Sequence, residues 1–103
     1  MYKLAFFVPV EHAEAVKEAV FQTGAGVIGH YRKCCFQTTG TGQFQPTAEA
    51  QPHTGQPGEL TYVNEARVEI HCGDEVITSA IAALKLAHPY EEVAYDVSEL
   101  VDL

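Results

Sequence analysis

Apolar and polar positions change their period several times along this chain, and each change marks an element. Lys3 to Val10 is rich in Phe, Val and Leu and too short for a self-supporting helix. It predicts a strand with Leu4, Phe6 and Val8 on one face, closed by Pro9. From Glu11 to Thr23, Ala13, Val16, Ala19 and Val20 recur at helical spacing, Glu11, Glu14, Lys17 and Glu18 occupy the rest of the surface, and Gly24 and Gly26 supply the stop. Tyr31 to Thr39 reads as a second strand. Gly40 to Gly58 reads as a polar, Gly- and Pro-rich hairpin connection, of a length usually found in functional or mobile loops. Leu60 to Cys72 alternates cleanly: Leu60, Tyr62, Ala66, Val68, Ile70 and Cys72 share one face, Glu65, Arg67, Glu69 and His71 the other. Gly73-Asp74 then offers a helix start with a carboxylate at the positive end of the dipole. Val76, Ile77, Ala80, Ile81, Leu84 and Ala87 form the buried stripe of a helix ending at His88, and Val93 to Val97 closes the chain as a strand.

This order, β-α-β-β-α-β, is that of the ferredoxin-like α+β fold, with one domain over residues 1–103, a four-stranded antiparallel sheet and two helices on one face. Right-handed crossovers give the strand order 4-1-3-2. His12, the Gly-rich connection and His88 to Glu92 then become neighbours at one end of the sheet, while His30 approaches His71 and Cys72 at the other. Because both helices cover the same side, the row Glu65, Arg67 and Glu69 faces water or a second subunit.

Charge narrows the partners. Six Lys and Arg against fourteen Asp and Glu give a formal net charge of −8, a field that repels nucleic-acid phosphate and anionic membranes and favours cations or basic partners. No run of about 18 apolar residues and no leader pattern is visible. Three cysteines, two of them adjacent at Cys34 and Cys35, do not make a disulfide framework and fit a reducing compartment. A soluble cytoplasmic protein that binds neither nucleic acid nor membrane is expected.

Candidate chemistry centres on His88-Pro89-Tyr90-Glu91-Glu92. Proline holds His88 outside the helical region with two carboxylates close behind. Imidazole and carboxylate together suit Zn or Cu, with His88, Glu91, Glu92 and His12 as the metal candidates. The competing reading is a helix end selected for capping alone. Gly40-Thr41-Gly42-Gln43-Phe44 offers backbone amides to an anion, or is a turn whose glycines need positive φ. It lacks the lysine and following helix of a phosphate loop. Gly40, Gly42, Phe44, His88 and Tyr90 are the ligand-binding candidates. The cysteines lack zinc-ribbon spacing and read as core residues, and no serine sits in a nucleophile elbow. No catalytic residue is assigned.

The motifs Gly29-His30-Tyr31, Gly40-Thr41-Gly42-Gln43-Phe44-Gln45-Pro46, Glu65-Ala66-Arg67-Val68-Glu69 and His88-Pro89-Tyr90-Glu91-Glu92-Val93-Ala94-Tyr95-Asp96, in that order, resemble the YqfO-like domain. That domain occurs as an insertion in the hexameric dinuclear-metal GTP cyclohydrolase type 2 homologues and as a free-standing protein. The His-Pro-Tyr-Glu segment also looks like a helix end of the CutA divalent-cation-tolerance proteins, grouped with the PII signalling proteins. The resemblance implies the ferredoxin-like fold, a homotrimer and a regulatory or metal-sensing role. It implies no dinuclear site, whose ligands in the large relatives flank the inserted domain. The expectation is a small PII- or CutA-like oligomer that binds a divalent cation or small ligand, with a protein-interaction or structural module as the alternative and an enzyme ranked last.

Overall fold

A computed structural model describes all residues 1–103. β1 (Tyr2–Pro9) leads through a single 3-10 turn (Val10–His12) into α1 (Ala13–Phe21). β2 (Phe36–Phe44) and β3 (Thr61–Cys72) form a long hairpin, followed by α2 (Ile77–Ala87) and β4 (Tyr95–Glu99). The antiparallel sheet has the order β2-β3-β1-β4, as the crossover rule predicts.

The alternation along β1 and β3 decides which face is covered. Leu4, Phe6 and Val8 pair with Ile70, Val68 and Ala66 across the sheet, and all six are fully buried under Val16 and Val20 of α1 and Ala80 and Leu84 of α2. Each large aliphatic side chain so removed from water contributes about 1.5–3 kcal/mol. The opposite face has no layer over it. On it Arg67 and Lys3 both reach Glu69, at 3.0 and 3.6 Å, so Glu69 is satisfied within one chain, while Glu65 has no cationic partner among the ion pairs.

The second strand departs from the sequence pattern. It runs from Phe36 to Phe44 rather than from Tyr31 to Thr39, because the Gly26 N–H takes the His71 carbonyl at 2.8 Å and the β2 ladder begins only at Phe36 opposite Glu69. Residues 25–35 form an irregular link closed by a bond from the Cys34 N–H to the Gly26 carbonyl and by an Ile28–Tyr31 bridge. Gly40 and Gly42 consequently lie inside a strand, and the positive φ values fall at Gly24, Gly26, Gly29, Gly55 and Gly58 and at Lys33 instead. Gly42 leaves room for the Glu65 carboxyl, which lies where a Cβ at that position would be. The hairpin connection shortens to residues 45–60.

Three smaller differences have local causes. Asp74 does not cap α2; it pairs with the α-ammonium of Met1, and α2 starts at Ile77 without a side-chain cap. β4 starts at Tyr95, two residues later than the apolar pattern begins, because the His88 ring occupies the edge of β1 above it. His71 and Cys72 point to opposite faces: Cys72 is buried in the core, and His71 and His30 are exposed, so no His30, His71 and Cys72 cluster forms.

Candidate functional site

Where β1 stops at Pro9, the β2–β3 hairpin continues past it, and its connection folds back toward the turn between α2 and β4. The stem of that connection is closed by the Gly58 N–H to the Pro46 carbonyl at 2.7 Å and by the Gln45 amide to the Gly58 carbonyl at 2.9 Å. Its tip is latched to the turn by the Gln51 N–H, which donates to Glu91 Oε1 at 2.9 Å across 40 residues of sequence. Between them lies a cavity of about 410 Å³. Phe7 and Glu65 come to it from the sheet, Phe44 from the end of β2, His53 from the connection, and Tyr90 and Glu92 from the turn. That volume is within the range of small-molecule sites.

His88 builds the turn. The following proline disfavours α conformation, and His88 sits at φ −70°, ψ 138°. Its backbone N–H still closes the helix on Leu84 at 2.9 Å, and its side chain turns inward, only 6% exposed. Nδ1 accepts the Tyr90 N–H at 3.0 Å, which fixes the neutral tautomer with the proton on Nε2, and Nε2 donates to the Phe7 carbonyl at 2.7 Å. The Phe7 N–H bonds to Ala94 at 3.2 Å on the same edge, so the imidazole continues the β1–β4 ladder past the last paired residue. Burial holds the His88 pKa below the usual imidazole value. The charges of His12 and His53 push the same way, and the Phe7 hydrogen bond opposes them.

Tyr90 is the aromatic centre of the site. Its ring centroid lies 5.0 Å from His88, 5.8 Å from Phe44 and 6.1 Å from His53, and His53 packs edge-on against His12 at 5.5 Å. The Tyr90 hydroxyl is sealed from solvent with no hydrogen-bond partner. Burial, then the negative charges of Glu65 and Glu11, push its pKa up to about 12. Burial likewise raises Glu65, and Tyr90 partly offsets this, so the two side chains sense each other while stopping short of hydrogen-bond geometry.

Of the sequence candidates, Phe44, Tyr90, Glu91 and Glu92 line the cavity. Gly40 and Gly42 line an adjacent hollow of about 300 Å³ that shares Phe7 and Glu65 with it. His12 and His88 are joined to the group through His53 and Tyr90 without lining it. The arrangement does not fit a metal: both His88 nitrogens are engaged by backbone, and no three His, Cys, Asp or Glu side chains converge to hold an ion. The pattern missed His53, which sits in an aperiodic segment, and treated Glu65 only as part of a solvated row. Gly42 lies diagonally across from Glu65, whose register partner is Gly40.

Comparison with known proteins places the chain beside longer relatives and shows its fold. No family model matches the chain. The GTP cyclohydrolase 1 type 2 homolog of Mycobacterium leprae is 44% identical over 99 residues, covering 96% of this chain and 26% of the relative. That of Bacillus subtilis is 45% identical over 95 residues, covering 92% and 26%. The chain corresponds to one domain of these longer proteins. It spans about a quarter of their length. The crystal structure of a Bacillus cereus protein related to NIF3 superimposes with a TM-score of 0.82 at 42% identity, over 98% of this chain and 26% of that one. CutA from Xylella fastidiosa matches with a TM-score of 0.70 at 18% identity, over 99% of this chain and 86% of CutA. At that identity the likeness shows the shared fold, which is the α+β ferredoxin-like arrangement expected from the element order.

Proposed function

We propose that this domain is a non-catalytic, ligand-binding regulatory module in which the 45–60 connection orders over a small molecule held against Tyr90. The observation that carries the reading is the cavity itself, roofed by a long connection that a single Gln51–Glu91 bond latches to the turn. The site groups aromatic rings and carboxylates without a nucleophile activated by a base, so binding suits it better than bond making. The cyclohydrolase in the relatives' name describes proteins about four times longer and is not carried to this chain.

A homotrimer is part of the proposal. The open sheet face and the outer edge of β2, with Phe36 65% exposed, leave surface that association would cover. Divalent Zn or Cu is the second version of the ligand. It requires His88 to release the Phe7 carbonyl or the Tyr90 amide, so an organic ligand is favoured. A thermal-denaturation screen with Zn, Cu, Mn, nucleotides and small metabolites tests the reading, because a ligand that binds only the native state raises the melting point. Stabilisation by at least one organic compound supports it, stabilisation by metal alone selects the metal version, and none at all favours a purely protein-docking module.

A further inference from the structure

The charge and surface of the cavity narrow its ligand further, and this inference rests on the binding role proposed above. Glu65, Glu91 and Glu92 line the cavity, and no lysine or arginine does. The Glu65 carboxyl lies in the space that a side chain at position 42 would take, and it lines the cavity together with Phe44 and Tyr90. It has no cationic partner in the chain, whereas Arg67 and Lys3, the bases nearest in register, are committed to Glu69. Beside it the Tyr90 hydroxyl is buried and unpartnered. The Tyr90 O–H is the donor nearest the Glu65 carboxylate, and a half-desolvated carboxylate, with about four acceptor positions, keeps room for a further donor from the cavity.

We infer that the cavity takes a small organic amine in its ammonium form, with the Glu65 carboxylate receiving the ammonium group and the Phe44 and Tyr90 rings packing on its carbon skeleton. An ammonium group supplies three donors, and the carboxylate oxygens accept from it. Aromatic faces attract organic cations, and the rings cover apolar atoms that a hydrated metal ion does not present. An anion meets three carboxylates and no lysine or arginine. The chain's net charge of −8 concentrates cations around the mouth. The raised Glu65 pKa agrees with a carboxylate awaiting a counter-charge.

The test uses three compounds of matched carbon skeleton: cadaverine, glutarate and pentanediol, followed by calorimetry and thermal denaturation on the full chain. Cadaverine is expected to bind and raise the melting temperature, with affinity falling as salt rises. Glu65→Gln is expected to weaken it roughly tenfold or more, the scale of one charge-assisted hydrogen bond. Tyr90→Phe, which keeps the ring, is expected to weaken it less. Glu99→Gln, an exposed carboxylate on β4, controls for general attraction to an acidic surface and is expected to change nothing. Equal loss in Glu65→Gln and Glu99→Gln overturns the inference, as does tighter binding of glutarate or pentanediol, although the latter leaves the binding role standing. If none of the three binds while another compound of the wider screen does, the amine assignment fails alone. If nothing in either set binds, both fail together.

Discussion

Replacing His88 with alanine separates its architectural role from any role as a ligand. The imidazole is 6% exposed and makes two bonds to backbone, one to the Phe7 carbonyl at 2.7 Å and one from the Tyr90 N–H at 3.0 Å. Truncation leaves a buried acceptor and a donor without partners, each costing about 1–3 kcal/mol, and opens a void beneath the Tyr90 ring. A loss of about 3 kcal/mol is expected, from a total that for domains generally is about 5–15 kcal/mol. For a domain of this size that lowers the melting temperature by roughly 12–24 °C. His88→Asn retains an acceptor near the position of Nδ1 and is expected to lose about half as much. Chemical denaturation of both variants, with and without Zn, reads the effect. A loss under about 1 kcal/mol, or His88→Asn equal to His88→Ala, refutes the ladder-extending role.

Three further outcomes follow from the same geometry. Because burial lowers the His88 pKa in the folded state, the unfolded chain binds more protons below about 6.5, so stability is full above that pH and falls as pH drops toward the folded value; the difference between wild type and His88→Gln, measured from pH 7.5 down to about 5, should shrink on acidification, and a constant difference contradicts it. Glu65 contributes with the opposite sign, since its folded pKa is raised, and it cancels in that subtraction. Gly42→Ala places a methyl where Glu65 now lies and should expel the flexible carboxylate to solvent, costing under about 1 kcal/mol while returning the Glu65 pKa toward 4.5 by NMR titration; an unmoved Glu65 shows that the glycine is not what makes room for it. Cys35 is exposed and Cys34 partly so, whereas Cys72 is buried with its thiol pushed up to about 11, so a thiol reagent should label two sites quickly and the third only on unfolding.

The sheet and the helices were legible because their periods are set by burial. Leu4, Phe6 and Val8 alternate since only one face of β1 is covered, and Val16, Val20, Ala80 and Leu84 fall on the helical stripes that cover it. β2 was misplaced because neither of its faces is covered: from Phe36 to Thr41 every residue is exposed, so no apolar alternation reports its register, and the pattern settled on the aromatic residues before it. The candidate site was half legible. Topology brings the His88 turn to the hairpin connection, and the aromatic and acidic residues of both were visible as unusual. The state of His88 was not, since nothing in its neighbours reveals that its two nitrogens are taken by backbone groups of Phe7 and Tyr90. Glu65 escaped for the same reason, as nothing in a row of three charges reveals that this one lies beside Tyr90 while Glu69 takes Arg67 and Lys3.

The central claim is that a small molecule enters between the 45–60 connection and the Tyr90 turn. Backbone amide mapping by NMR tests it most directly, with the protein titrated by amines, carboxylates, neutral compounds and Zn. The account predicts that at least one organic compound perturbs amides from Gln43 to Thr54 together with Tyr90 to Glu92, including the Gln51 amide that bonds to Glu91, and leaves the amides of α2 largely unmoved. Perturbations confined to the outer edge of β2 or to residues 25–35, or no saturable response to any compound, contradict it.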